Sequence, residues 1–376
     1  MSGKKLKVLQ VNKLYSPVTG GIERIVQYIA EGLKDDVDMQ VLVCQTKGRG
    51  CDDVINGVKV HRAGSMGILF SLPISFPFLF KFRNMAGKAD IVHIHCPFPL
   101  ADLACMLSGY KGKVVVSWHS DVVKQKKLML LYRPVMEWLL KRADVIIVSA
   151  NGIIEGSSYL GPYKEKCRII PFAVNPEVDR KGKEYLETLP LRRIDEEQIT
   201  RFLFVGRLVY YKGVDVLLRA FTKVENAKLH IVGSGELENQ LKNFVYSNNM
   251  SDKVSFKGNI SDQELEREFE DCDVFVLPSV MKSEAFGLVQ QEAMAYGKPV
   301  INTKLKSGVP EVSVDGETGI TVEPGNVDGL AKAMQELIDN PVKRLQLGKA
   351  ARKKVDEQYT MEVMLERIRK VYLNLL

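Results

Sequence analysis

Short apolar runs alternate with stretches of helical periodicity twice along this chain. The apolar runs of the N-terminal half predict strands at residues 7–11, 40–44, 58–61, 91–94, 113–118 and 145–149. Those of the C-terminal half predict strands at residues 202–205, 229–232, 254–256, 274–277, 300–302 and 319–322. Buried strands that alternate with helices are typical of doubly wound parallel sheets. The pattern therefore predicts an α/β protein with two such domains.

The segment 172–201 separates the two series of strands. It is polar, contains prolines and shows no sustained periodicity, so we interpret it as the crossing between domains. The predicted domains are residues 1–175 and 176–360, followed by a helix at 361–376. A chain of 376 residues, 45% of them hydrophobic, can fill two cores of ordinary size.

Two glutamates eight positions apart, Glu284 and Glu292, follow the predicted strand 274–277. Residues 286–288 read as the start of a helix, and a strand that leads into a helix N-terminus forms a site for anions. We expect Glu284 at the rim of the loop and Glu292 about two turns further along the same helix. One carboxylate could accept hydrogen bonds from sugar hydroxyls and the other from ribose hydroxyls. The alternative is a pair of solvated acids on a helix surface.

Two cations lie upstream of these acids. Arg207 and Lys212 flank a loop that follows Gly206 at the end of the strand 202–205. A diphosphate leaving group needs cations, and glycine lets the backbone approach it closely. Similar Gly-Arg-Leu segments also occur without such a role, so the loop alone leaves both interpretations open.

Five motifs in a fixed order carry a family resemblance. They are GGIE at 20–23, SWHSD at 117–121, VGRLVYYKG at 205–213, IVGSGEL at 231–237 and EAFGLVQQE at 284–292. From about residue 8 to residue 359 the chain resembles the retaining family 4 glycosyltransferases of the GT-B fold. The resemblance implies two Rossmann-like domains that face a central cleft, with the acceptor on the N-terminal side and the nucleotide sugar on the C-terminal side. It also implies that the helix 361–376 packs back on the N-terminal domain.

The same resemblance implies roles for individual residues of the C-terminal domain. Arg207 and Lys212 would hold the diphosphate. Glu284 would contact the donor-sugar hydroxyls, and Glu292 would contact the ribose. The backbone amides implied to help hold phosphate and sugar belong to Gly287, Leu288 and Val289.

In the N-terminal domain, Gly20, Gly21 and His119 follow predicted strands, where ligands of open α/β sheets bind. The resemblance implies that the glycines let the backbone approach phosphate and acceptor, and that His119 lies beside the donor sugar. A structural histidine is the alternative. His93 and His95 alternate along another strand, and we expect them on opposite faces, unable to chelate one metal together. His95 is a candidate acceptor-side residue and His93 a core residue.

Two short motifs suggest other chemistries. Asp271-Cys272-Asp273 resembles a metal-binding DxD signature, but it ends a charged helix directly before a strand, so Asp273 is interpreted as a turn residue. Gly233-Ser234-Gly235 begins like a dinucleotide fingerprint, but Glu238 stands where the third glycine would be. We therefore expect no catalytic metal, no cofactor and no dehydrogenase activity.

Charge is distributed unevenly along the chain. Residues 1–175 contain 24 Lys and Arg against 14 Asp and Glu, whereas the whole chain has a net charge of +7. Nucleic acid is not expected as a partner, because basic and aromatic residues do not interleave and zinc-finger spacing is missing. An anionic membrane surface is a candidate partner for Lys124, Lys126 and Lys127 in the amphipathic stretch 122–142. The alternative is a partly buried helix with solvated lysines.

A second apolar stretch covers residues 67–80 and carries no charge. It is too short to span a bilayer and contains Pro73 and Pro77. It is expected as a packed loop and short helix of the N-terminal domain, or as a surface that touches lipid or a lipid-linked acceptor. The six cysteines form no CxxC pair, and the first apolar run is too short for a signal peptide. We expect a cytoplasmic protein, with peripheral binding to the inner face of the membrane left open.

The expected activity is retaining transfer of a hexose, first of all mannose or a related sugar. The donor would be a GDP- or UDP-sugar, and the acceptor a saccharide or lipid-linked saccharide in polysaccharide or glycoconjugate biosynthesis. Glu284 and Glu292, about 12 Å apart if both lie on one helix, are too distant for an acid–nucleophile pair. The resemblance therefore implies same-face attack in which the leaving phosphate takes the acceptor proton. The alternatives are another GT-B enzyme, such as an epimerase or phosphorylase, and a nucleotide-sugar-binding subunit without activity.

Overall fold

The computed structural model describes residues 5–18, 20–69, 72–121, 126–188 and 199–376. The chain divides into two compact units. The first unit comprises Met1–Ser149, Ile153–Pro171 and Met364–Leu376. The second unit comprises Ala150–Gly152 and Phe172–Val363. The end of the chain thus belongs to the same unit as its beginning.

The described part of the first unit contains an eight-stranded sheet and a separate two-stranded ribbon. The strands, in chain order, are β1 (Lys7–Val11), β2 (Asp38–Cys44), β3 (Cys51–Ile55), β4 (Val58–Ala63), β5 (Ile68–Leu69), β6 (Leu72–Pro73), β7 (Ile91–Cys96), β8 (Lys113–Trp118), β9 (Val145–Val148) and β10 (Cys167–Ile169). The order in the large sheet is β10-β9-β8-β7-β1-β2-β4-β3, and β5 pairs with β6. Neighbouring strands of the large sheet are parallel except in the hairpin of β3 and β4.

Helices follow most of these strands. They are α1 (Gly21–Leu33), α2 (Phe76–Ala86), α3 (Pro99–Ser108), α4 (Lys126–Arg142) and α5 (Asn151–Gly156), with a 3₁₀ helix at Gly161–Lys166. On α1 the buried apolar side chains recur at three- and four-residue spacing, as in Ile25, Ile29 and Leu33. This spacing places one apolar stripe of the helix against the sheet.

The described part of the apolar stretch 67–80 forms the ribbon and the first part of α2. Phe78 and Phe82 are buried, whereas Phe76 and Phe80 are 67% and 78% exposed. The stretch is therefore a packed loop and short helix that also presents apolar side chains to solvent. No helix in the described ranges is both long and apolar enough to cross a bilayer.

The described part of the second unit contains a six-stranded parallel sheet that alternates with helices along the chain. Its strands are β11 (Thr200–Val205), β12 (Ala227–Val232), β13 (Val254–Gly258), β14 (Val274–Val276), β15 (Val300–Thr303) and β16 (Gly319–Val322). They follow the order β13-β12-β11-β14-β15-β16 and are parallel throughout. The fold class predicted from the sequence, two doubly wound α/β domains, is confirmed.

The helical elements from residue 176 onward complete the architecture. They are α6 (Pro176–Thr188), a 3₁₀ helix (Tyr210–Lys212), α7 (Val214–Phe221), α8 (Glu238–Ser247), α9 (Asp262–Asp271), α10 (Leu288–Ala295), α11 (Val309–Val312), α12 (Val327–Asp339), α13 (Pro341–Lys354), a π-helical turn (Val355–Tyr359) and α14 (Met361–Leu373). In α14 the buried side chains Met364, Ile368 and Tyr372 lie four residues apart, on one face.

Three elements differ from the sequence-based expectation. The segment 172–201 was interpreted as the crossing between domains and no helix was predicted in it, but residues 176–188 form α6. The signal is weak because polar residues dominate α6 and its buried position is Gly182, where a Cβ would collide with the Ala295 carbonyl. Strand β3 escaped detection because its side chains are mostly exposed, and β10 because it is only three residues long.

Candidate active site

A buried ion pair lies at the carboxyl ends of β11 and β14 in the second unit. Lys212 Nζ is 2.5 Å from Glu284 Oε2, and each side chain is only 11% exposed. The hydroxyl of Ser279 donates to the same carboxylate oxygen over 3.1 Å. The structure thus brings together two of the predicted site residues, which are far apart in the sequence.

Close backbone contact between two loops positions Lys212. The loop after β11 ends in the 3₁₀ helix Tyr210–Lys212 and then in Gly213, whose φ of +67° is left-handed. A Cβ at Gly213 would overlap the carbonyl oxygen of Pro278 in the loop after β14. The amide of Val280 also donates to the Tyr211 carbonyl over 2.8 Å. Glycine is therefore needed at position 213 for the two loops to meet.

The loop that carries Glu284 is fixed by hydrogen bonds of its own. The Glu284 amide donates to the Met281 carbonyl over 3.0 Å, and the Gly308 amide donates to the Ala285 carbonyl over 2.7 Å. The hydroxyl of Thr303, at the end of β15, donates to the Ser279 carbonyl over 2.5 Å. The carboxylate of Glu284 is consequently held by a rigid support, as a binding group requires.

Helix α10 begins next to this carboxylate. Its N-cap is Gly287, with a left-handed φ of +74° and no side-chain cap among the described residues. The first-turn amides of a helix, here those of Leu288 and Val289, have no partners within the helix and favour anions. Glu292 lies half-buried on α10. Because α10 starts after Glu284, the expectation that both glutamates lie along one helix is wrong.

Arg207 lies on the same loop as Lys212 but is exposed. Its guanidinium donates from Nη2 to the Tyr211 hydroxyl over 3.0 Å. The glycines of the IVGSGEL motif support this loop, because a Cβ at Gly233 or Gly235 would collide with the carbonyls of Gly206 and Leu208, respectively. Close packing of two loops accounts for this Gly-x-Gly sequence.

In the first unit, His119 follows β8 directly and is buried. Its backbone amide donates to the Cys96 carbonyl over 3.1 Å, and its Nε2 lies 3.0 Å from His95 Nδ1. Burial, and to a smaller extent the nearby charge of Lys13, lowers the pKa of His119 to about 3. The imidazole is therefore neutral at physiological pH.

His93 and His95 do not point to opposite faces, so that prediction is wrong. Their rings stack with centroids 4.5 Å apart and an interplanar angle of 25°. Side chains at i and i+2 of a strand project on the same side, and both residues are fully buried. Burial lowers the pKa of His93 to about 3 and that of His95 well below its usual range.

Gly20 and Gly21 lie at the start of α1. Gly20 is the N-cap in an extended conformation, and a Cβ on it would collide with the carboxylate of Glu23, which is buried over the helix start. The Glu23 carboxylate of the same unit therefore occupies the space that a side chain at position 20 would need. Asp273 lies between α9 and β14, where its carboxylate accepts from the Arg201 amide over 2.9 Å. It is the turn residue that the sequence predicted.

Sequence reasoning missed several residues that contact the predicted ones. Ser279 lies three residues after the end of β14, and its place just beyond a strand was a usable signal. Tyr211 lies inside a recognised motif. Gln10 and Tyr372 contact the histidine cluster from opposite ends of the chain, and no local pattern marks them.

Comparison with known proteins gives consistent matches. The family model described as Glycosyltransferase Family 4 matches residues 19–178, and that described as Glycosyl transferases group 1 matches residues 193–354. The D-rhamnosyltransferase WbpZ of Pseudomonas aeruginosa is 32% identical over 358 residues, 94% of this chain and 92% of the relative. The O-antigen chain mannosyltransferase C of Escherichia coli is 30% identical, over 99% of both chains.

Among solved structures, that of Anabaena HepE in complex with UDP has a TM-score of 0.77 and 17% identity. The similarity covers 98% of this chain and 100% of HepE. At 17% identity this similarity shows a shared fold and no more.

Proposed function

Because the chain belongs to the family 4 glycosyltransferases of the GT-B fold, we propose that it transfers a hexose with retention of anomeric configuration. The donor is a nucleotide-diphosphate sugar, first of all GDP-mannose or a related GDP-sugar. The observation that carries the proposal is the buried pair of Lys212 and Glu284 beside the first turn of α10. The names of the relatives that match nearly the whole chain favour mannose or a related sugar and a role in O-antigen or similar glycoconjugate synthesis.

The second unit supplies the groups that a departing nucleoside diphosphate requires. Negative charge grows on the leaving phosphate as the bond from the anomeric carbon breaks. Lys212, Arg207 and the amides at the start of α10 stabilise that charge, and this stabilisation is greatest in the transition state. Glu284 accepts hydrogen bonds from donor-sugar hydroxyls, and Glu292 accepts them from the ribose.

The surroundings of Glu284 favour direct attack over a covalent intermediate. Its Oε2 already accepts from Ser279 and contacts Lys212, so its negative charge is stabilised and its nucleophilicity reduced. In the proposed step the acceptor oxygen bonds to the anomeric carbon on the face from which the phosphate leaves. The acceptor proton passes to a leaving phosphate oxygen, which balances the reaction.

The acceptor is proposed to be a saccharide or lipid-linked saccharide, with the protein docked on an anionic membrane. The exposed Phe76 and Phe80 and the basic N-terminal half support this. Lys124 lies outside the described residues, and so do the side chains of Lys126 and Lys127. Vesicle co-sedimentation should depend on anionic lipid, fall in high salt, and fall again when these lysines are changed to Glu. Indifference to anionic vesicles at low salt would favour a soluble acceptor.

The donor and stereochemistry can be tested together. A thermal-shift panel of GDP, UDP and ADP identifies the nucleotide, because a ligand at 100 times its Kd adds about 2.7 kcal/mol to stability. UDP is the second candidate, since HepE was solved with UDP. The α-linked sugar nucleotide that binds is then supplied with mannose-containing oligosaccharides, and NMR gives the anomeric configuration of the product. An inverted product would overturn the retaining mechanism.

A further inference from the structure

A cavity of about 730 Å³ opens beside the carboxyl end of β4 in the first unit. The loop before β3, the residues that follow β4 and the start of α2 form its wall. Its lining residues lie between positions 48 and 81, so they include none of the residues assigned to the donor. Its volume lies in the range of pockets that hold small ligands.

The backbone around the cavity is fixed by hydrogen bonds of its own. Gly48 and Ser65 exchange two backbone hydrogen bonds, of 2.8 and 2.9 Å. The hydroxyl of Ser75 donates to the Gly64 carbonyl over 2.5 Å, which ties the N-cap of α2 to the residue after β4. The cavity is therefore formed before a ligand binds, and a preformed site loses less entropy on binding.

One part of the wall is apolar and includes an aromatic ring. Phe76, the first residue of α2, is 67% exposed and lines the cavity together with Met66, Ile74 and Pro77. Phe80, one turn later on the same helix, is even more exposed but is not a lining residue. The two phenylalanines thus share a helix but differ in their surroundings. An exposed ring at a cavity offers a flat apolar face to a ligand.

The rest of the wall carries both donors and an acceptor of hydrogen bonds. Lys81 Nζ donates to Asp52 Oδ1 over 2.5 Å, and His61 Nδ1 lies 3.1 Å from the same oxygen. The hydrogen bond from Lys81 holds the pKa of Asp52 below its usual value, so this carboxylate is ionised at neutral pH. Both contacts use Oδ1, and Oδ2 can accept from a ligand. Arg49 is exposed at the same cavity and can donate.

This combination of groups distinguishes between classes of ligand. An acyl chain would cover the charged groups without giving them hydrogen-bond partners, which costs free energy. A compact anion would meet the carboxylate of Asp52 as well as the cations. A saccharide suits the whole wall, because its hydroxyls both donate and accept and the C–H face of a pyranose ring can stack on Phe76. The lining therefore has the chemistry of a saccharide site.

The cavity lies at the same edge of the sheet as His119. Strands β4 and β8 run parallel, and β2, β1 and β7 separate them. Four strand spacings of about 4.8 Å place the carboxyl end of β4 about 19 Å from that of β8, which His119 follows. A single sugar cannot span this distance, whereas an oligosaccharide can.

We propose that this cavity is an outer acceptor subsite, which holds a sugar of an oligosaccharide several units away from the sugar that receives the hexose. Phe76 stacks on the held sugar, Asp52 accepts hydrogen bonds from its hydroxyls, and Arg49 donates to them. Binding at the cavity needs no donor, whereas the consequence for turnover rests on the proposed function, with His119 beside the donor sugar. The subsite makes long acceptors better substrates, because contacts to the remote sugar add binding energy.

Alkylation of Cys51 locates the ligand without any substitution. Cys51 is exposed and lines the cavity, whereas Cys167 on β10 is partly exposed and does not. Mass spectrometry gives the rates at which iodoacetamide modifies both thiols of the full-length protein, with and without an α-linked mannotetraose. We expect the tetrasaccharide to slow modification of Cys51, by about twofold at a concentration equal to its Kd, and to leave Cys167 unchanged. Failure to bind, or binding without protection of Cys51, would overturn the subsite.

Phe76→Ala tests the stacking contact, and Phe80→Ala is the matched control on the same helix. We expect Phe76→Ala to weaken mannotetraose binding roughly 2- to 10-fold, the range of an aromatic contact. In assays with soluble acceptors and no lipid, it should lower kcat/KM for mannotetraose more than for mannobiose. Phe80→Ala should change neither the binding nor this difference. Equal losses in the two variants would indicate a general apolar surface and would overturn the saccharide site.

The subsite and the proposed function fail in different ways. Protection of Cys51 by mannotetraose in a protein that binds neither GDP nor UDP would keep the saccharide site and contradict the proposed donor. Transfer to mannobiose, without protection of Cys51 and without a gain in kcat/KM for longer acceptors, would keep the proposed function and overturn the subsite. Arg49→Ala provides a second variant, which should weaken mannotetraose binding and leave nucleotide affinity unchanged.

Discussion

Lys212 and Glu284 form a buried ion pair of 2.5 Å that joins the loop after β11 to the loop after β14. Taking two charges out of water costs free energy, which only good geometry and further hydrogen bonds offset. Here Ser279 supplies one such bond. Both members are also suited to other partners: the ammonium group to a phosphate and the carboxylate to sugar hydroxyls. A bound donor would compete for the two charges that stabilise each other in the free protein.

Lys212→Met should destabilise the second unit, because it leaves the Glu284 carboxylate buried without its partner. The expected loss in unfolding free energy is about 3 to 5 kcal/mol. Urea denaturation measures it. Lys223→Met is the matched control, since the ion pair of Lys223 with Asp328 is exposed to solvent and should contribute far less to stability. Equal losses of unfolding free energy in both variants would contradict a greater contribution of the buried pair to stability.

Arg207→Ala should weaken nucleotide binding with little effect on stability. The guanidinium is exposed and its recorded contact is to the Tyr211 hydroxyl, so folding depends on it by no more than about 0.5 kcal/mol. A charge-assisted contact to the diphosphate contributes about 1.5 to 3 kcal/mol, which is a loss of roughly 10- to 150-fold in affinity. Arg219→Ala, on α7 with an exposed Asp215 partner, is the control. Unchanged nucleotide affinity in Arg207→Ala would contradict the role given to Arg207.

Gly287→Ala should cost more than Gly316→Ala, although both glycines have nearly the same left-handed φ, +74° and +72°. Left-handed backbone costs a non-glycine residue about 1 to 2 kcal/mol. At Gly287 the added Cβ would also lie 2.7 Å from Leu277 Cδ2, whereas at Gly316 it meets nothing within 4 Å. Thermal denaturation compares the two variants. Nucleotide affinity should fall only in Gly287→Ala, because only that change disturbs the start of α10.

Stability should fall as the solution becomes acidic. His93, His95 and His119 have folded-state pKa values below their usual range, so below about pH 6.5 the unfolded chain binds protons that the folded protein does not. Between pH 6.5 and 5.5 each histidine should remove about 1 kcal/mol of unfolding free energy. A urea midpoint that is constant or rises over this range would contradict the lowered pKa values of these three histidines in the folded protein.

Asp102 has the opposite effect on the pH dependence of stability. Its carboxyl is buried, accepts from the Tyr132 hydroxyl, and has its pKa raised to about 7 by desolvation. Between its unfolded pKa and pH 7 the folded protein therefore binds the extra proton, so this group gains stability as the pH falls, by about 1 kcal/mol from pH 6.5 to 5.5. Asp102→Asn should remove that gain and make the acid loss steeper. An unchanged or shallower pH dependence would contradict the raised pKa.

The parallel sheets were predictable because most of their strands are buried on both faces and read as continuous apolar runs, as in 145–148 and 274–277. Strand β3 was not, since its edge position leaves polar side chains exposed. Helix α6 was not predictable either, because its buried position is occupied by Gly182 and glycine carries no hydrophobic signal. Hydrophobic patterning thus finds the buried elements and misses those that pack by other means.

The candidate site was predictable as a set of residues but not as an arrangement. The motifs pointed to Lys212 and Glu284 separately. Their ion pair depends on two loops that meet through Gly213 and Pro278, and no spacing in the sequence encodes that meeting. The hydrogen bonds of Tyr372 are more remote still, since they join the last helix to strands at the start of the chain. The expectation that His93 and His95 lie on opposite faces was wrong because side chains two residues apart in a strand lie on the same face. The sequence alone was enough to predict this.

Calorimetric titration of GDP and UDP into the wild-type protein and into a Lys212→Met/Glu284→Leu double variant tests the central claim most directly. The double variant removes both charges, so no buried charge is left unpaired and its stability should lie near that of the wild type. The account predicts that the wild type binds one of the two nucleotides and that the folded double variant binds it at least about tenfold more weakly. Equal affinities of the two proteins would contradict the assignment of Lys212 and Glu284 to the donor site.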